Sequence, residues 1–264
     1  MKIVTLVENC VQKRGLLAEH GLSFYIETSG IESSRQKILF DTGQSDILIH
    51  NAKQLGINIA DIDTIIISHG HYDHTGGLSS LLKINKKAQV IVKRNALTPK
   101  YRRLLYPKGQ VPETSSLTGR VTEITSPVEL ATNLFIMPDI TVSNPADTSY
   151  DGDDRFEDEL FLAFKGGTHI SVISSCSHNG ITNIAGTASH FFSLPLDLII
   201  GGFHTRAAST ERIRSIINAL KTLSPRSIGV CHCTGIDNYL LIRKELTDIN
   251  VFYNQTGNSV TINS

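Results

Sequence analysis

Cysteine is scarce in this 264-residue chain and tryptophan is absent. The only cysteines are Cys10, Cys176, Cys231 and Cys233. So few in a chain this long do not make a disulfide framework, and stability must come from a buried core. Net charge is also missing: 25 Lys and Arg balance 25 Asp and Glu. That balance argues against a general nucleic-acid binder. No apolar run approaches the roughly 18 residues needed to span a bilayer. Ile3 to Val7 is too short for the core of a signal peptide, and Glu8 interrupts it. These absences read as a cytoplasmic protein with neither membrane nor nucleic acid as partner, and they leave a homo-oligomer open. There is no Gly-rich Lys-Ser/Thr loop and no G-x-G-x-x-G, so phosphate-loop and dinucleotide chemistry lack their usual cradle.

What is present is a chain with 40% hydrophobic residues, enough for one large α/β domain or two small ones. The rest is organised around Ser68-His69-Gly70-His71-Tyr72-Asp73-His74-Thr75-Gly76-Gly77-Leu78. It follows an apolar run, Ile65-Ile66-Ile67, that reads as a buried strand. His69 and His71 are two apart, so in extended chain their imidazoles face one side. Leu78, Leu81 and Leu82 then recur at helical spacing, which predicts a helix from about Asp73. Imidazoles and a carboxylate at a strand end suit zinc or iron.

Upstream, strands are predicted at 2–7, 22–28 and 37–40, with an amphipathic helix over 46–55. Downstream, a strand at 89–93 leads into a stretch from 95 to 158 that holds six of the eight prolines. It is basic early, with Arg102 and Arg103, and acidic late. Short strands are plausible at 121–124 and 134–137, and the whole reads as a lid-like insertion. A second half follows: a hairpin over 160–174, strands at 196–200 and 227–230, and helices to about His190, over 209–223 and to Leu246. His178, His204 and His232 each stand just after a strand, and ligands of open α/β sheets collect at such carboxyl ends. His169 starts a strand leading to His178, which puts the two roughly 30 Å apart. His50 and His190 fall inside helical patterns and are read as structural.

His69-x-His71-x-Asp73-His74 resembles the signature of the metallo-β-lactamase superfamily. The resemblance implies an αββα sandwich, two mixed β-sheets between helices, as a single domain over 1–264. Further segments are similar to one branch of metal-dependent hydrolases: Glu19 to Ser23, Phe40 to Gly43, Cys176 to Ile181, Gly201 to His204 and His232 to Gly235. One archaeal member type of that branch is a dihydropterin transferase that releases diphosphate. By resemblance, His69 and His71 match ligands of a first metal, and Asp73 and His74 those of a second. His232 matches the last family histidine. Asp41 matches an aspartate that braces the histidine loop, and His20 and His204 are expected at the pocket.

The chain departs from the family pattern in two places. No histidine stands between His74 and His169, so the usual third ligand of the first metal is missing. Cys176-Ser177-His178 stands where a bridging aspartate is usual. His178 is therefore expected to replace the missing ligand, and the cysteines to pack or support. The expected cofactor is one or two divalent ions, zinc before iron or manganese. The expected chemistry is a metal-activated water, with Asp73 orienting it or taking its proton. Arg102 and Arg103 are expected to grip an anionic, phosphorylated small molecule. A transferase and a non-catalytic metal-dependent binding protein are the alternatives.

Overall fold

β1 (Lys2–Val7), β2 (Ser23–Ser29) and β3 (Arg35–Phe40) form an antiparallel meander whose apolar runs are largely buried. The computed structural model describes residues 1–29, 35–98, 117–150 and 152–263. Arg102 and Arg103 lie outside the described residues. The chain divides into two units, the first holding 1–125 with 255–263 and the second 126–254.

In the first unit, β4 (Thr64–Ile66), β5 (Gln89–Lys93) and β6 (Val121–Ile124) continue the sheet from β3 in parallel. Such pairs need crossovers. α1 (Ile47–Gln54) lies in the first, and α2 (Tyr72–Thr75) and α3 (Leu78–Ile84) lie in the second. β14 (Ser259–Thr261) pairs antiparallel with β1, which completes seven strands. Leu6, Leu39, Ile65 and Val90 of the sheet are buried in one cluster with Leu48 of α1 and Leu81 of α3. Each contributes on the order of 1.5–3 kcal/mol by burial.

The helix predicted from Asp73 is in fact two short ones, broken at Gly76-Gly77. A Cβ at Gly76 would overlap the Gln44 carbonyl, and one at Gly77 the Thr42 carbonyl. The glycines let the histidine turn seat against the backbone that follows β3.

In the second unit, β7 (Val128–Ala131), β8 (Leu134–Met137), β9 (Phe161–Lys165) and β10 (Ile170–Ile173) are antiparallel neighbours. β11 (Leu196–Gly202), β12 (Ser227–Cys231) and β13 (Asn250–Tyr253) follow in parallel. α4 (Ile181–Phe192), α5 (Thr210–Leu223) and α6 (Ile236–Glu245) bury one cluster with this sheet. Ile213, Ile216, Ile217 and Leu220 form the buried stripe of α5, and the Ser209 hydroxyl caps it by accepting from Arg212 N–H. Within the stretch read as an insertion, the described residues supply β6 to one sheet and β7 and β8 to the other.

Candidate metal centre

The donors of the first unit come from two adjacent strand ends. β3 and β4 pair Phe40 with Ile66, so Asp41 and Ser68 leave the sheet side by side. Asp41 N–H donates to Ile66 O at 2.8 Å, and Asp41 then adopts a left-handed φ of 61°. That conformation is unfavourable for most residues and is tolerated by aspartate. It turns the carboxylate onto the histidine loop. Oδ1 accepts from Ser68 N–H at 2.7 Å, and Oδ2 accepts from Ser68 Oγ at 2.7 Å and His74 Nδ1 at 2.8 Å. All of these groups are buried.

This network fixes imidazole tautomers. The Ser68 hydroxyl has one proton and gives it to Asp41, so at 2.8 Å from His69 Nδ1 it accepts. His69 therefore carries its proton on Nδ1 and its lone pair on Nε2. His74 likewise gives Nδ1–H to Asp41, and its Nε2 faces Asp73 Oδ2 at 3.5 Å. The rings converge, with centroids 4.8 Å apart for His69 and His71 and 4.4 Å for His69 and His74. Burial opposes charge on His74, but Asp73 and Asp41 outweigh it and push its pKa up to about 10. A site that holds a proton so firmly favours a metal cation by the same electrostatics, in place of the proton at Nε2. Neutral imidazoles with carboxylates are the donor set of zinc and related ions, so these residues fit a metal.

His20 also reaches this cluster. Asn9 Nδ2 donates to His20 Nδ1 at 3.2 Å, which leaves Nε2–H to donate to Asp73 Oδ2 at 3.3 Å. His71 caps α2, and its carbonyl accepts from His74 N–H and Thr75 N–H. His74 O in turn accepts from the N–H and hydroxyl of Thr42, both at 2.8 Å.

The second unit presents its own cluster at the ends of β10, β11 and β12. Parallel register sets Ile173 beside Ile200 and Gly202 beside Cys231, so His178, His204 and His232 emerge along one sheet edge. Ser177, His204 and His232 have left-handed φ values of 55°, 48° and 52°. Such strain persists where surrounding bonds hold it, and it concentrates at functional turns. His178 N–H donates to Glu159 Oε1 at 2.6 Å, and Asn179 N–H to Oε2 at 2.8 Å. Burial pushes the Glu159 carboxyl up to about 7 despite these bonds. His178 Nδ1 lies 3.2 Å from Ser149 O, which can only accept, so this imidazole too keeps its lone pair on Nε2. Its ring stacks on Phe156 at 3.6 Å and lies 4.2 Å from His204. His204 Nδ1 lies 2.6 Å from Ser149 Oγ. Cys233 Sγ accepts from His204 N–H at 3.3 Å, and all four cysteines are reduced thiols. His169, in the turn before β10, is at the other end of that strand, and His50 Nε2 bonds Gly15 O at 2.8 Å.

Arg212 locks the His204 turn from behind, donating to His204 O at 2.7 Å and to Asp147 O at 2.9 Å. Its guanidinium is 3.7 Å from Asp147 Oδ1, while Oδ2 accepts from Thr182 N–H and Oγ1. Burial pushes the Asp147 carboxyl up to about 6, against these bonds and Arg212. Its folded pKa lies above the ordinary 3.8, so the folded state binds more protons between about pH 4 and 6. Asp147 therefore costs stability as pH rises through that window. Asp147→Asn is expected to gain on wild type by about 1–3 kcal/mol in urea unfolding between pH 4.5 and 7.5. An unchanged difference across those pH values would contradict this.

The sequence pattern places the histidines and Asp41 but misses Ser68, Ser149, Phe156, Glu159 and Arg212. Ser68 has a signal, being adjacent to His69 at the strand end. Glu159 looks like one more residue of an acidic run, and nothing local separates a buried carboxylate from solvated ones.

Comparison with known proteins gives these arrangements a context. The profile of the metallo-beta-lactamase superfamily matches residues 20–212. The 7,8-dihydropterin-6-methyl-4-(beta-D-ribofuranosyl)-aminobenzene-5'-phosphate synthase of Methanocaldococcus jannaschii is 33% identical over 261 residues, covering 89% of this chain and 88% of that protein. Among solved structures, Tm1679, a metal-dependent hydrolase of the beta-lactamase superfamily, superposes with a TM-score of 0.84 at 28% identity over all of both chains. The metallo-beta-lactamase fold protein YhfI of Bacillus subtilis gives a TM-score of 0.59 at 16% identity over 98% of this chain and 99% of that one, a likeness of fold alone. The two seven-stranded mixed sheets are those of this fold. A profile match over most of the chain and a 33% identical relative along nearly its whole length show that the chain belongs to the metallo-β-lactamase superfamily.

Proposed function

We propose that the chain is a metal-dependent hydrolase acting on an anionic, phosphorylated small molecule. In this reading His69, His71, Asp73 and His74 of the first unit hold one or two divalent ions, zinc first and iron or manganese next. His232 of the second unit is proposed as a further ligand, matching the last family histidine, and His178 as the replacement for the family ligand that this chain lacks. The observation that carries the reading is the tautomer network: Asp41, directly and through Ser68, commits Nδ1 of two buried histidines to hydrogen bonds. A bound ion would supply Lewis acidity, lowering the pKa of a coordinated water and polarising the oxygen of the bond to be broken.

The chain's own residues do the rest. Asp73 orients the attacking water and takes its proton, and His20 Nε2–H, 3.3 Å from Asp73 Oδ2, aims that carboxylate. His204, fixed by Arg212 and Ser149, faces the substrate. Arg102 and Arg103 are proposed to grip its anionic group. No helix among the described residues is long and apolar enough to cross a membrane, and we infer a cytoplasmic location.

The 33% identical synthase favours a second reading, a transfer that releases diphosphate. Turnover of phosphate monoesters, diesters and neutral esters by zinc-, iron- and manganese-loaded protein separates the two. Hydrolysis of phosphate esters, abolished by chelation and restored by metal, supports the first. No hydrolysis together with strong diphosphate binding supports the transferase. Metal-independent turnover of neutral esters would defeat both.

A further inference from the structure

Four arginines of the second unit have a side-chain partner. Arg212 pairs with Asp147, Arg226 with Asp197 at 3.8 Å, Arg243 with the Tyr239 hydroxyl at 3.0 Å, and Arg155 lies over the Tyr150 ring. Arg206 is exposed, and among the described residues no carboxylate pairs with it, the nearby Asp237 included. It sits two residues after His204, on backbone that is firmly placed. Arg206 N–H donates to Cys233 O at 3.0 Å, Thr205 Oγ1 donates to Thr234 O at 3.0 Å, and Asn238 Nδ2 donates to Thr205 O at 2.5 Å. The turns that carry His204 and His232 are thereby stitched together, and Arg206 rises from the seam.

Its neighbour across the seam is Gly235, where a Cβ would stand 3.5 Å from Arg206 Cγ. α6 begins at the next residue, and its Ile236 and Leu240, one turn apart, are 52% and 54% exposed. Two exposed aliphatic side chains on one helix face need no explanation by themselves. Beside an unpaired guanidinium and two strand-end histidines, they make a surface with an anion-binding end and an apolar end.

We infer that Arg206, with Ile236 and Leu240, is the specificity wall of the substrate site: the guanidinium takes a phosphate or carboxylate and the aliphatic pair takes an apolar body attached to it. This rests on the metal-dependent reading above and names the substrate class, an organic anion with an apolar part. Guanidinium suits the role because its planar donors meet two oxygens of one anion at once, whereas an ammonium does not.

The test is calorimetric binding of phenyl phosphate and inorganic phosphate to purified full-length protein, with and without added zinc, alongside metal analysis. Arg206→Ala should weaken both ligands about 10- to 100-fold while metal content stays at the wild-type level, and Arg206→Lys should recover only part. Ile236→Ser/Leu240→Ser should erase the preference for phenyl phosphate over phosphate and leave phosphate binding unchanged. Wild-type affinity in Arg206→Ala, or no binding of either anion by the wild type, would overturn the inference. Arg206-dependent binding in a chain that takes up no metal would support the wall and sink the metal reading instead, so the two failures are distinguishable.

Discussion

His71→Ala is expected to fold normally and lose most of its metal, with affinity down by more than about 100-fold. Removing a residue that merely orients a ligand already costs about 10–100-fold, and removing the ligand itself costs more. Folding should survive because His71 is only partly buried and anchors α2 through its backbone carbonyl, which alanine retains. His69 and His74 are fully buried and tied into the Asp41 network, so their replacement would mix stability with metal loss. Full metal content in His71→Ala would refute the ligand assignment, and equally high residual turnover would refute the catalytic one.

Asp41→Asn should combine a large loss of stability with a loss of metal. Asparagine tolerates the left-handed backbone at this position nearly as well as aspartate does, so the substitution isolates side-chain chemistry. The carboxylate accepts three hydrogen bonds in a buried place, from Ser68 N–H, the Ser68 hydroxyl and His74 Nδ1–H. The amide has one acceptor oxygen and one donor nitrogen. Whichever way it turns, an N–H meets a group that was donating: Ser68 N–H in one orientation, or the Ser68 hydroxyl and His74 Nδ1–H in the other, which also breaks the tautomer order of His69 and His74. The expected cost is about 2–4 kcal/mol in denaturant unfolding, from an unmet buried donor and a lost charge. Metal affinity should fall about 10–100-fold as the imidazoles lose their orientation. Wild-type stability with wild-type affinity would show that the network is incidental.

Much of the fold and the centre is legible in the amino-acid sequence. Strand ends can be read because each apolar run stops at a polar or glycine residue, and that alone puts His178, His204 and His232 on one sheet edge. The strands at 121–124 and 134–137 are also predictable, since short β-branched and aromatic runs flanked by turn residues have few other uses. The break at Gly76-Gly77 is not, because it depends on backbone around Thr42 and Gln44 that lies distant in sequence. The supporting residues are hidden for a related reason. Glu159 reaches the backbone of His178 and Asn179 across about twenty positions, and Arg212 reaches Asp147 across 65. Periodicity and spacing report what a residue does to its neighbours in the chain, and these residues act on neighbours in space.

X-ray absorption at the edge of the metal retained by the native protein tests the central claim most directly. The claim predicts stoichiometric metal, one or two ions per chain, with several imidazole nitrogens at about 2.0–2.1 Å. It also predicts a reduced imidazole contribution in whatever metal His71→Ala retains. A chain that purifies without stoichiometric metal and takes none up, or a metal whose shell contains no imidazole, would contradict it.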